Sequence, residues 1–151
     1  MKIHFQKNEQ LADDEIDITL AAASKSLKVD ELIAYLQKFD SMPPTIIPIK
    51  SVDQVVLVKP QDIELIDVSG STLLIYANQT VIETKGRLYA FVEKLKNPNF
   101  VQVSKHAVIN INHLKSLEDS FAGAMTAVLA GNVKTSISRK YLSLLEHRLG
   151  L

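Results

Sequence analysis

Phe100-Val101-Gln102-Val103-Ser104-Lys105-His106-Ala107-Val108-Ile109-Asn110 is an apolar run interrupted by a polar step and then resumed. Lysine is almost never fully buried without a partner, so Ser104, Lys105 and His106 cannot all face a core. The pattern predicts two buried segments joined by a short exposed step that projects Lys105 outward. Downstream follow Asn110-Ile111-Asn112-His113-Leu114, then Gly131-Asn132, then Ser136-Ile137-Ser138-Arg139-Lys140-Tyr141-Leu142.

Around this stretch the apolar periodicity alternates between two and 3.6 residues. Ile16, Ile18 and Leu20 alternate with Asp17 and Thr19, predicting a strand. Residues 55–58 are a short apolar run that Pro60 closes, and Ile63, Leu65 and Asp67 alternate with Glu64 and Ile66. Residues 73–76 and 80–84 flank Asn78-Gln79, and residues 125–129 and 133–137 flank Gly131-Asn132. Both pairs are expected hairpins, because Asn and Gly tolerate the positive φ of tight turns. Helical spacing appears in Leu32, Tyr35, Leu36 and Phe39 behind Ser26 as a cap, and in Leu88, Phe91, Val92 and Leu95. It recurs in Leu142, Leu145 and Leu149 behind Ser138. These apolar faces are read as core. Pro43-Pro44 ends the first helix and marks a boundary. The expected fold is mostly β with short helices (α+β). Residues 1–43 form a small β-β-α appendage, a candidate dimerisation or regulatory element, and residues 44–151 form the main domain. The appendage is too small to hold a core of its own.

The 151 residues carry 17 basic and 17 acidic groups, with 46% hydrophobic and 23% charged residues, the profile of an ordinary globular domain. The absence of cysteine excludes disulfide scaffolds, thiol catalysis and Cys-ligated zinc. Charge is unevenly spread: residues 97–151 hold 6 basic against 3 acidic groups, whereas residues 1–50 hold 6 against 8 and residues 51–96 hold 5 against 6. A basic last third suits a polyanion, since Lys and Arg displace counterions from phosphate. The apolar run at 121–132 is too short to cross a bilayer and no signal segment is evident, so a cytoplasmic protein is expected. His4, His106, His113 and His147 have no metal-ligand spacing, and Asp13-Asp14-Glu15 reads as a solvated acidic loop. Five glycines compose no phosphate-cradling loop. Neither an enzyme, a cofactor, a metal nor a small-molecule substrate is expected.

The order of motifs in the second half resembles the LytTR family of bacterial DNA-binding domains. That family runs from a phenylalanine through an Arg/His-rich step to a V-N ending, then a hairpin, then an (I/V)-S-R-(R/K)-Y entry to the last helix. Here these are Phe100, Ser104-Lys105-His106, Ile109-Asn110, the Gly131-Asn132 turn, and Ile137-Ser138-Arg139-Lys140-Tyr141. Ile63-Glu64-Leu65-Ile66-Asp67 resembles the family's D-I-x-Y-I-E strand, and residues 84–95 its connecting helix. The resemblance covers about residues 46–151. It implies an elongated set of small β-sheets that reads successive major grooves with loops. By position it places Ser71, Lys105 and either Arg139 or Lys140 at bases and phosphates, with Ser104 and His106 flanking Lys105 in the step. Lys134 and Lys115, with the other of Arg139 and Lys140, suit phosphates, which position a protein without specifying sequence. Ser104 stands where the family usually has His, His106 where it has Ser, and Ser71 where a longer polar residue is common. These departures shorten the reach into a groove. Ser138 is explained as a helix cap.

The resemblance implies a stand-alone transcription regulator on promoter repeats, because residues 1–43 leave no room for a receiver domain. Control would come through homodimerisation or a co-encoded membrane protein. The competing reading is a protein-interaction module that keeps the fold and has lost sequence-specific DNA contacts.

Overall fold

The computed structural model describes residues 1–12, 15–40 and 42–151, apart from the side chains of Asp40 and Ala122. Asp13 and Asp14 of the acidic run, and Ser41 before the boundary prolines, lie outside the described residues. The chain divides into two units, Met1–Asp40 and Ser41–Leu151.

In the first unit the regular element among the described residues is helix α1, Leu27–Asp40. The Ser26 carbonyl accepts the first helical bonds from Val29 and Asp30, at 2.9 and 3.1 Å, so Ser26 stands at the cap as its position suggested. Asp30 in the first turn and Lys38 in the last suit the helix dipole. The strand expected at 16–20 is not formed: these residues pair with no ladder, and Ile16 and Ile18 are 75% and 53% exposed. Period-two alternation says which side chains a strand would bury, but only a neighbouring strand can satisfy its backbone. The β-β-α appendage is therefore corrected to a helix preceded by extended and turn segments among the described residues.

Among the described residues the second unit contains three antiparallel sheets. Strands β1 (Ile47–Lys50) and β2 (Val55–Val58) form a two-stranded sheet, closed by a 2.8 Å bond from Ser51 N–H to the Gln54 carbonyl. A five-stranded sheet has β3 (Ile63–Ser69), β4 (Thr72–Ala77), β5 (Thr80–Lys85), β6 (Phe100–Gln102) and β7 (Ala107–Asn110) in the order β5-β4-β3-β7-β6. A three-stranded sheet has β8 (Leu114–Asp119), β9 (Met125–Leu129) and β10 (Lys134–Ile137) in the order β10-β9-β8. Helix α2 (Leu88–Leu95) precedes β6, and α3 (Arg139–Leu149) ends the domain.

Two apolar clusters lie on the two sides of the five-stranded sheet. Ile66, Leu73, Ile75 and Val108 pack with Ile47 and Ile49 of β1 and Leu95 of α2. Leu65, Val101, Val103 and Ile109 pack with Ala127, Leu129 and Ile137 of the other sheet and Leu145 of α3. Covering on both sides explains why residues 63–66 and 107–110 are buried without alternation. Glu64 is buried with its neighbours, only 4% exposed at a register shift between Ile63 and Leu65, and its Oε1 accepts the Asn78 N–H at 3.1 Å.

Both expected hairpins are present. Asn78 and Gln79 have φ of 50° and 64°, the two positive values that a type I′ turn requires. Gly131 and Asn132 have φ of 69° and 61°, and Leu129 N–H donates to the Val133 carbonyl at 2.8 Å. A Cβ on Gly131 would meet only Gln79 Cγ, at an ordinary 3.5 Å, so backbone strain dominates a substitution there. Gly131→Ala is expected to lower stability by about 1–2 kcal/mol, measured by urea denaturation.

Candidate nucleic-acid interface

The strand registers bring several loops to one end of the five-stranded sheet. Ser69 pairs with Thr72, Thr72 with Lys85, Asp67 with Ala107 and Gln102 with Val108. The ends of β3, β5 and β6 and the starts of β4 and β7 therefore share that end. The Gly70-Ser71 turn caps β3 and β4, with Gly70 at φ 61°, and Ser71 is exposed on it. The polar step at 104–106 joins β6 to β7. Two backbone hydrogen bonds tie its neighbours to it. Val68 N–H donates to the His106 carbonyl at 2.9 Å, and Ser138 N–H donates to the Val103 carbonyl at 2.9 Å. The second bond fixes the entry of α3 beside the step.

Within the step, Val103 and Ser104 N–H both donate to the Ala107 carbonyl, at 3.0 and 3.3 Å. The half-buried Ser104 accepts the His106 N–H on its hydroxyl at 3.1 Å, and Gln102 Nε2 donates to its carbonyl at 2.9 Å. Ser104 thus shapes the turn, while Lys105 and His106 stand exposed at its apex. Lys105 also lines a groove of about 390 Å³, whose walls include Leu88, Val92, Phe100 and Val108.

Arg139 and Lys140 open α3, and both are exposed. Arg139 Nη2 lies 3.9 Å from where a Cβ on Gly123 would stand, so its guanidinium reaches the loop between β8 and β9. Lys140 Nζ lies 5.7 Å from the centre of the Tyr141 ring, within range of a cation–π attraction. Ser138 holds the cap position, yet its side chain makes no capping bond; its backbone does the work, accepting from Tyr141 N–H at 2.8 Å. At the far end of α3, Gly150 takes the left-handed cap conformation at φ 77°.

Lys134 and Lys115 are not brought to this end. Lys134 pairs with Val128 and Leu114 with Leu129, at the end of the three-stranded sheet opposite Ile137, roughly 10 Å along the strands. Lys134 Nζ is moreover 3.2 Å from Glu118 Oε2, with both side chains half exposed. Three cations that the sequence reading overlooked stand at the shared end. Lys85 ends β5 opposite Thr72, Arg87 follows at the cap of α2, and the Lys50 carbonyl accepts from Thr84 Oγ1 at 2.7 Å. Lys50, Lys85, Arg87, Lys105, Arg139 and Lys140 are all exposed. They come from all three charge segments of the chain, and only strand register reveals their proximity.

Among the described residues, no group of three or more His, Asp or Glu is placed to hold a metal ion. No helix of the described residues is long and apolar enough to cross a membrane.

The model of the LytTr DNA-binding domain matches residues 53–150. The chain belongs to that family. The resemblance carried by the step, the hairpin and the entry to α3 is thereby borne out. The LytTr domain of a Bacillus cereus protein superposes with a TM-score of 0.64 at 17% identity, covering 72% of this chain and 99% of that one. This likeness shows the mostly-β LytTr fold. The Sensory transduction protein LytR of Staphylococcus haemolyticus is 23% identical over 146 residues, which are 96% of this chain and 55% of that protein. Its Staphylococcus saprophyticus namesake is 21% identical over 106 residues, covering 70% of this chain and 42% of the relative. The chain thus spans about half the length of these curated LytR relatives.

Proposed function

We propose that the protein regulates transcription by binding double-stranded DNA sequence-specifically, with loops that enter major grooves. The observation that carries this reading is the alignment of three separate loops by two backbone hydrogen bonds, Val68 to His106 and Ser138 to Val103. Lys105 and Arg139 are assigned to guanine O6 and N7, the commonest specific major-groove contact for basic side chains. Ser71, Ser104 and His106 flank them, and Lys140, Lys85, Arg87 and Lys50 are assigned to phosphates. Lys134, already paired with Glu118, contributes a peripheral phosphate contact.

On this reading the protein works in the cytoplasm on promoter repeats, controlled either by homodimerisation through residues 1–43 or by a co-encoded membrane protein. Selection of duplexes from a random pool, followed by anisotropy titration, tests the DNA reading. Enrichment of a defined motif is expected. Lys105→Ala should remove about 1–2 kcal/mol of discrimination at one base position, the lower part of the range for a base contact because an ammonium is a point donor. Lys134→Ala should weaken all duplexes alike, by less than about 1 kcal/mol, since an exposed ion pair already engages the group. A pool that enriches nothing would instead favour the protein-interaction module.

A further inference from the structure

The interface end also carries an aromatic side chain to which no role has been given. Phe121 is 95% exposed, more than any other large apolar side chain described in the Ser41–Leu151 unit. It opens the short 3₁₀ turn Phe121–Gly123 between β8 and β9, which is closed by a 2.7 Å bond from Ser120 N–H to the Ala124 carbonyl. Asp119 pairs with Met125, and Met125 with Ile137, so this loop is level with the entry to α3. Arg139 Nη2 lies 3.9 Å from the Cβ position of Gly123, two residues from Phe121. The loop with the bare ring and the guanidinium therefore adjoin. At such exposure the ring adds nothing to either apolar cluster.

We propose that Phe121 is a specificity-determining residue whose ring packs on the 5-methyl group of a thymine in the groove that Arg139 enters. The inference rests on the DNA reading above. The thymine methyl is the apolar feature of the major-groove edge, and aromatic or small apolar side chains are its natural contacts. Covering it would also shelter the neighbouring Arg139 bonds from water, strengthening them.

The test uses the full chain and the best duplex selected by the wild-type protein. Each thymine is replaced in turn by deoxyuridine, which removes only the methyl group. One replacement is expected to weaken wild-type binding roughly fourfold, the worth of one buried methyl-sized group. Phe121→Ala should show at least the same loss on the thymine duplex and no further loss on that deoxyuridine duplex, while Phe121→Leu retains part of the effect. Its thermal midpoint should match wild type, because the ring is exposed. Phe121→Ala binding as tightly as wild type, or losing equally on every substituted duplex, overturns the inference. Failure of the wild-type selection to enrich any sequence overturns the underlying DNA reading, a distinct outcome.

Discussion

Raising monovalent salt from 50 to 200 mM is expected to weaken binding of the selected duplex roughly 150-fold per domain, with a log–log slope near −3.6. The figure follows from the six exposed cations at the interface end: Lys50, Lys85, Arg87, Lys105, Arg139 and Lys140. On the proposed reading two of these engage bases and four remain to neutralise phosphates, each releasing about 0.9 counterion from B-form DNA, while Lys134, its charge already balanced by Glu118, adds little to the slope. A zero net charge does not oppose this, because salt dependence reports local displacement of condensed ions rather than total charge. The double variant Lys85→Ala, Arg87→Ala should reduce the slope by about two and leave base preference intact. Anisotropy titrations at four salt concentrations measure both quantities. A slope near zero would mean that these side chains do not meet a polyanion.

Leu145→Ala is expected to cost about 2–5 kcal/mol of folding stability, measured by urea denaturation, as full burial and truncation of a leucine imply. Leu145 is 0% exposed and packs in the cluster with Val101, Val103 and Ile137. The same cluster underlies both the polar step and the entry to α3. Its loss should therefore also lower DNA affinity at temperatures where the variant remains folded, by loosening Arg139 and Lys140 relative to Lys105. Leu144→Ala is the control: Leu144 is 51% exposed on the same helix and should cost far less. Equal effects of the two would refute the packing account of how α3 is held.

Much of the main domain was legible because local chemistry and tertiary need agree there. Asn78-Gln79 and Gly131-Asn132 signal positive φ and occupy it, and Leu88, Phe91, Val92 and Leu95 mark α2 at helical spacing. The exposure of Lys105 followed from the cost of burying a lone ammonium. β1 escaped because Pro48 interrupts it; in the structure Pro48 is exposed in a two-stranded sheet, where a missing N–H is tolerated. The strand at 16–20 was over-read because alternation cannot supply a pairing partner. The cations Lys50, Lys85 and Arg87 were hidden for a different reason. Each lies far from Lys105 and Arg139 in sequence, and their convergence depends on registers that no single segment encodes. Ser104 illustrates the converse: its place in the motif suggested a shortened reach toward DNA, whereas its hydroxyl and carbonyl are occupied in shaping the turn.

The frame that aligns the loops is made of peptide groups, Val68 to His106 and Ser138 to Val103, with little demand on the identity of the side chains displayed. If the proposed DNA reading holds, single exchanges at 105 or 139 would alter which bases are preferred without altering the spacing between the segments recognised. A lineage inheriting this scaffold could diversify its regulatory targets letter by letter, keeping a constant stride along the duplex.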